Sequence, residues 1–270
     1  MSQVKTFKKP YYMQQRKVVQ GNKQERTDKA DDWLKTLKTK YGEQVDNAVG
    51  KTSVHREPVL NELQLHNKKY DNTVVRVFAN DVVTCTKAAI THAEKGAKIL
   101  VLNFASYSSP GGGFLKGSLA QEEALCYATG LYPCLASKSD FYKENREGKD
   151  TDSCYSNDYI YSEDVPFIVN SKCYFVDVLT MAAPNNKKAK YSPVEDIFAE
   201  RMEYVFRIGI DKEVDVILLG AWGCGVFGND VKFVAETWKS LTQKYNGYYK
   251  EVVHPVLDKD MCKTFKNICL

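Results

Sequence analysis

No stretch of this sequence is apolar for anything near the ~20 residues of a membrane span. The opening MSQVKTFKKPYYMQQRK also lacks an apolar run of signal-peptide length. The expectation is a cytoplasmic or nuclear protein with no membrane partner. Cysteines are present but never in C-x-x-C spacing: Cys85, Cys126, Cys134, Cys154, Cys173, Cys224, Cys262 and Cys269 lie scattered through apolar or strand-like surroundings. A chain of 270 residues needs no disulfide staples, so these read as thiols in a reducing compartment. Histidine is scarce, and His55, His66, His92 and His254 show no metal-type spacing. Neither metal nor cofactor is expected. The net charge of +4 permits an anionic ligand but lacks the dense basic stripe of a nucleic-acid binder, so direct sequence-specific nucleic-acid binding is not expected. No internal repeat or low-complexity tract appears.

What the chain does have is core material, with 43% hydrophobic and 12% aromatic residues. The first thirty or so residues are polar and basic, with Lys5, Lys8, Lys9, Arg16 and Lys17, and read as a loosely ordered lead-in. Weak helical periodicity follows around Trp33, Leu34, Leu37 and Tyr41. From residue 73 the pattern sharpens. NTVVRVFAND reads as a strand, VVTCTKAAITHAEKG as a helix ending at Gly96, and AKILVLNFAS as a strand. A glycine loop leads to a helix over about 119–130. Strands are then expected in DYIYS, VPFIV and CYFVDVLTMAAP, and a helix over about 194–209. VDVILLG, NDVKFVAETWKSLTQKY and YYKEVVHPVL complete a strand–helix–strand sequence. Alternation of this kind implies an α/β layered domain with a largely parallel or mixed sheet. We expect two parts, a lead-in with a helical extension over 1–69 and an α/β domain over 70–270.

Ligands of such sheets bind at the carboxyl ends of strands, and both glycine-rich loops follow strands. The first, SSPGGGFLKGSLAQEEA, runs Gly111, Gly112 and Gly113 into a helix start carrying Gln121, Glu122 and Glu123. Three glycines are costly in chain entropy, and close approach of backbone to something bound is their usual return. Ser118 and Gln121 fit a capping box, which leaves Glu122 and Glu123 unexplained. Neighbours on a helix point about 100° apart, so two such carboxylates can divide labour, one gripping substrate and the other transferring a proton. A nucleotide P-loop is excluded: after Gly112 and Gly117 come Ser118 and Leu119, where lysine and a hydroxyl residue are required.

The second loop, Gly223-Cys224-Gly225-Val226-Phe227-Gly228, satisfies G-x-G-x-x-G between a strand and a helix. It stands near the end of the chain rather than opening a domain, and no acid ends the following strand, so a Rossmann dinucleotide site is not supported. A diphosphate-sized cradle of backbone N–H groups remains, with Phe227 as an aromatic surface for a sugar or base. The competing reading makes Val226 and Phe227 simple core residues. Cys224 lacks an identifiable histidine base and reads as a small buried thiol. Asn103, ending LVLN, is a polar residue placed to face a ligand cleft, although turn chemistry accounts for many such asparagines.

Taken in order, these segments resemble the microbial-type poly(ADP-ribose) glycohydrolases, a branch of the macrodomain-like ADP-ribose binders. The family signature is GGG, six to eight residues, then QEE, and here seven residues separate Gly113 from Gln121. ILVLNFASYSSPGGGF, VDVLTMAAPN and LLGAWGCGVFGND resemble the family too. The likeness spans about residues 70 to 258, with a weaker lead-in from about 16. It implies a three-layer α/β/α sandwich with a mixed central sheet, and hydrolysis of the ribose–ribose O-glycosidic bond of poly(ADP-ribose) to release ADP-ribose. By the same likeness Glu123 is catalytic and Glu122 helps hold ribose hydroxyls. Asn103 contacts the distal ribose, Gly112 and Gly113 lie against the distal ribose and phosphate, and Gly225, Val226, Phe227 and Gly228 take the diphosphate. Gln121 completes the signature and is counted among the substrate-binding residues. Two alternatives stay open: an ADP-ribose reader without hydrolysis, and a hydrolase for mono-ADP-ribosylated macromolecules.

Overall fold

The computed structural model describes residues 21–56, 58–148, 153–190 and 194–270. The basic lead-in residues Lys5 to Lys17 lie outside the described residues. Among the described residues seven strands form one sheet: β1 (Thr52–His55), β2 (Val74–Phe78), β3 (Ile99–Phe104), β4 (Tyr159–Val169), β5 (Lys172–Met181), β6 (Val216–Leu218) and β7 (Glu251–Pro255). Their order is β1-β4-β5-β3-β6-β7-β2. The five strands from β5 to β2 run parallel, while β1 and β4 are antiparallel additions at one edge. The sheet is therefore mixed, as the strand–helix alternation implied. DYIYS and VPFIV, expected as two strands, form the single β4, interrupted by a register shift between Ser162 and Val165.

Helices cover both faces. One layer holds α7 (Val194–Asp211), α8 (Val231–Lys244) and α9 (Lys259–Cys269). The other holds α1 (Lys23–Lys40), α2 (Gly42–Gly50), α3 (Val82–His92), α4 (Gln121–Ala128), α5 (Leu131–Ala136) and α6 (Ser139–Glu147). β3 shows why its sequence is almost wholly apolar. Leu100 and Leu102 enter the core of the first layer, Ile99 and Val101 that of the second, and all four are at most 5% exposed. Such burial on both faces is the signature of a central parallel strand.

The helix expected to end at Gly96 stops at His92, where the Ala93 N–H closes the last turn on the Ala89 carbonyl. β1, α5, α6 and α9 were not anticipated from the sequence. β1 lies within the segment read as a lead-in, yet it pairs with β4 in the same sheet. α1 packs on the first glycine loop: Arg26 Nε donates to the Gly117 carbonyl at 2.6 Å, and Tyr127 Oη donates to the Arg26 carbonyl at 2.8 Å. The helical extension and the α/β region share one sheet, and Ala30 and Ala48 pack into the core of the second layer. Among the described residues no helix is long and apolar enough to cross a membrane.

Candidate active site

β3 and β6 are adjacent and parallel, so the loops that leave them emerge side by side at the same end of the sheet. The first loop belongs to β3. Asn103, the fifth residue of that strand, is fully buried. Its Nδ2 donates to Glu122 Oε1 and to Thr180 Oγ1, both at 3.2 Å, and its Oδ1 has no partner among the described residues. Gln121 holds the strand around it. The Gln121 Nε2 donates to the Leu102 carbonyl at 2.7 Å, and its Oε1 accepts from the Phe104 N–H at 2.9 Å. The side-chain amide thus pairs with β3 as a neighbouring strand would, fixing Asn103 between its two contacts.

The Ser118–Gln121 cap does not form. α4 begins at Gln121 with Ala120 at the N-cap, and Glu123 is the residue that reaches back, its Oε2 accepting from the Ala120 N–H at 2.8 Å. Ser118 is drawn into the preceding turn, where its N–H donates to the Gly113 carbonyl at 3.0 Å and its hydroxyl packs against Gly113. The other oxygen of Glu123, Oε1, accepts from the Gly113 N–H at 2.8 Å. Glu123 therefore ties the glycine loop to the helix start by two backbone donors.

Glu122 points elsewhere from the same turn. Its Oε1 accepts from Asn103, and its Oε2 accepts from the Ser106 N–H at 2.8 Å. Burial pushes its pKa up to about 8, with the Glu123 charge adding a little, against the lowering effect of the Ser106 and Asn103 donors. Burial thus favours the neutral acid at Glu122 near neutral pH. Both carboxylates converge on Gly112. This glycine has φ of +58°, and a Cβ there would lie 2.7 Å from Glu123 Oε1 and 3.0 Å from Glu122 Oε2. Only glycine leaves room for the pair.

The second loop, after β6, is built differently. Gly223 and Gly228 have φ near +70°, and the Asn229 side chain pins the turn by donating to the carbonyls of Pro184 (2.8 Å) and Gly223 (3.1 Å). The N–H groups of Gly225, Val226 and Phe227 have no acceptor among the described residues. A Cβ on Gly225 would meet nothing within 4 Å, and Val226 is 75% exposed. Val226 is thus no core residue, whereas Phe227 packs partly against the core. Cys224 is buried, its thiol pushed up to about 12 by that burial, in keeping with an inert packing role. All eight cysteines are free thiols.

A cleft of about 540 Å³ separates the loops, within the size range of small-molecule sites. Ser106, Tyr107 and Ser108 line one side and Val226 and Phe227 the other, with Tyr155, Asn185 and the cationic Arg146, Lys187 and Lys188 around them. Glu122 sits one hydrogen bond behind Ser106. Asn185 is buried with its Oδ1 unpartnered among the described residues. Three residues here escaped the sequence reading. Tyr107 and Tyr155 stack at 4.3 Å with their planes 14° apart, and Asn229 anchors the second loop. Asn229 was findable, since it ends the glycine motif; nothing in the sequence pairs the two tyrosines.

Comparison with known proteins fits this geometry. Residues 30–170 match the family model described as microbial-type PARG, catalytic domain. Poly(ADP-ribose) glycohydrolase from Thermomonospora curvata is 29% identical, with 90% of this chain and 99% of that one covered and a TM-score of 0.80. The same enzyme bound to the inhibitor ADP-HPD gives a TM-score of 0.79 at the same identity and coverage. Poly(ADP-ribose) glycohydrolase from Deinococcus radiodurans, in complex with ADP-ribose, is 29% identical with a TM-score of 0.72, covering 83% of this chain and 96% of that one. No curated protein sequence matches the chain.

Proposed function

The chain belongs to the microbial-type poly(ADP-ribose) glycohydrolase family, and from that premise we propose how its residues cut the ribose–ribose O-glycosidic bond of poly(ADP-ribose) and release ADP-ribose. One observation carries the reading: two buried carboxylates from one helix turn converge on Gly112 beside a cleft whose opposite wall offers unused backbone N–H groups. A glycosidase needs the carboxylates, and a diphosphate needs the donors.

Cleavage at the anomeric carbon passes through an oxocarbenium-like state, in which the leaving oxygen gains a proton and water is activated. Glu123 takes both tasks in turn. It protonates the departing ribose oxygen as an acid and then, as a carboxylate, draws a proton from the attacking water. The proton drawn from water replaces the one Glu123 gave, so the cycle closes, while Glu122, kept neutral by burial, adds no second negative charge beside it. Glu122 grips ribose hydroxyls once substrate displaces its present contacts, and Asn103, with a free Oδ1, faces the same sugar. Gly112 and Gly113 let the sugar approach the carboxylates. Gly225, Val226, Phe227 and Gly228 take the diphosphate, whose negative charge stabilises the cation by proximity. Gln121 contributes at one remove, since its amide is committed to β3.

Incubating the protein with poly(ADP-ribose), with protein-linked mono-ADP-ribose in parallel, separates the possibilities. Free ADP-ribose from the polymer supports this reading. Binding of ADP-ribose with no release from either substrate identifies a reader, and release from the mono-ADP-ribosylated protein alone identifies the other hydrolase.

A further inference from the structure

We infer that Arg201 is a positioning residue for substrate recognition, holding Tyr155 against Tyr107 across the cleft from the second glycine loop. What occupies the cleft rests on the poly(ADP-ribose) reading; the positioning itself does not. Arg201 projects from α7 and is only 1% exposed, although its neighbours on that face, Phe198, Met202 and Val205, are core residues. The guanidinium is spread over one short segment: Nε donates to Asn157 Oδ1 at 2.9 Å, Nη1 to the Cys154 carbonyl at 2.7 Å, and Nη2 to the Tyr155 carbonyl at 3.0 Å. Nη1 also donates to the Ala182 carbonyl at 3.0 Å, just past the end of β5. A planar fork is the group that can serve carbonyls in several directions at once.

The segment needs such a clamp. Ser153 and Tyr155 have φ of +60° and +62°, a left-handed conformation that residues other than glycine hold only when their surroundings enforce it. The outcome of that conformation is specific. Tyr155 turns into the cleft, stacks on Tyr107, and stands 6.1 Å from the Phe227 ring. The clamp also ties the segment to the strand whose continuation supplies Asn185, and the Asn185 N–H donates to the Ser153 carbonyl at 2.9 Å. Arg201 thus couples the core to an aromatic wall suited to the planar part of a nucleotide.

The test compares Arg201→Lys and the milder Asn157→Ala, each alone and in a Tyr155→Ala background. Lysine keeps the charge but cannot reach the separate acceptors. In the unliganded protein, both variants should lose the upfield ring-proton NMR shifts of the stacked tyrosines. With poly(ADP-ribose), Arg201→Lys should raise KM about tenfold and Asn157→Ala about threefold, with kcat within twofold of wild type. In the Tyr155→Ala background neither should raise KM further. Asn157→Ala carries the test should Arg201→Lys fail to fold. Persistence of the ring shifts in a folded variant overturns the inference, as does a fall in kcat at constant KM or KM effects that multiply with Tyr155→Ala. A wild type that releases no ADP-ribose, beside variants that lose the ring shifts, would sink the proposed function and leave the positioning role standing.

Discussion

The two glycine loops share a residue type, a position after a parallel strand and an adjacent helix, yet they spend their backbone differently. In the first, the N–H groups of Gly112, Gly113 and Phe114 all have internal acceptors: the Ser109 carbonyl, Glu123 Oε1 and the Gly111 carbonyl. In the second, three successive N–H groups have none among the described residues. The first loop is accordingly a mount for the protein's own carboxylates, and the second is the open donor surface. Glycine is required in both, for opposite reasons. At Gly112 it makes room for side chains of the protein; at Gly225 the room is for something the protein does not supply.

That contrast can be broken by substitution. Gly112→Ala should be the most damaging change, lowering turnover about 10³-fold, because its Cβ displaces both carboxylates at once. A steady-state assay that retained more than a tenth of wild-type turnover would show that the carboxylates need not converge there. Glu122 offers a second test, through pH. Its pKa in the folded protein lies above the ordinary carboxyl value, at about 8, so the folded state holds this proton more tightly. The contribution to stability is complete below about pH 4.5 and is lost as pH rises to about 8. Denaturant unfolding of wild type and Glu122→Gln across that range should show the wild type losing roughly 3–5 kcal/mol relative to the variant. Parallel curves would show that Glu122 is ionised throughout.

Gly225→Ala should leave the thermal midpoint unchanged, since its Cβ meets nothing, while weakening ADP-ribose binding about tenfold by calorimetry. A stability loss with unchanged affinity would reverse the roles assigned to the loops. Arg26→Ala, which removes the brace from α1 to the Gly117 carbonyl, should cost about 1 kcal/mol in stability and lower turnover only two- to threefold. A tenfold loss of turnover would make α1 part of the catalytic apparatus rather than its support.

Much of this contrast was legible in the sequence, because it rests on strongly patterned elements. The β3 and β6 runs, the helix of α8 and the GGG–QEE spacing each follow from local periodicity or motif. Elements fixed by distant partners were not legible. β1 is four residues of mixed character that become a strand because β4 offers an edge to pair with. The N-cap lies at Ala120 rather than Ser118, whose N–H is bonded to the Gly113 carbonyl in the glycine turn. Tyr155 reaches the cleft only through a left-handed backbone held from α7, forty-six residues further along the chain. One trace of that clamp was available, an arginine on the otherwise apolar face of Phe198, Met202 and Val205. The glycines of the first loop read as a close approach of backbone to something bound, whereas their N–H groups are committed to acceptors of the protein itself.

On the proposed reading, Glu123 transfers the proton while other groups bind the nucleotide. Glu123→Gln separates the two, provided ADP-ribose release from poly(ADP-ribose) and ADP-ribose affinity are measured on the same preparation. Release should fall about 10²–10⁴-fold while affinity stays within about threefold. Release above a tenth of the wild-type rate, or an affinity loss that matches the loss of release, would contradict it.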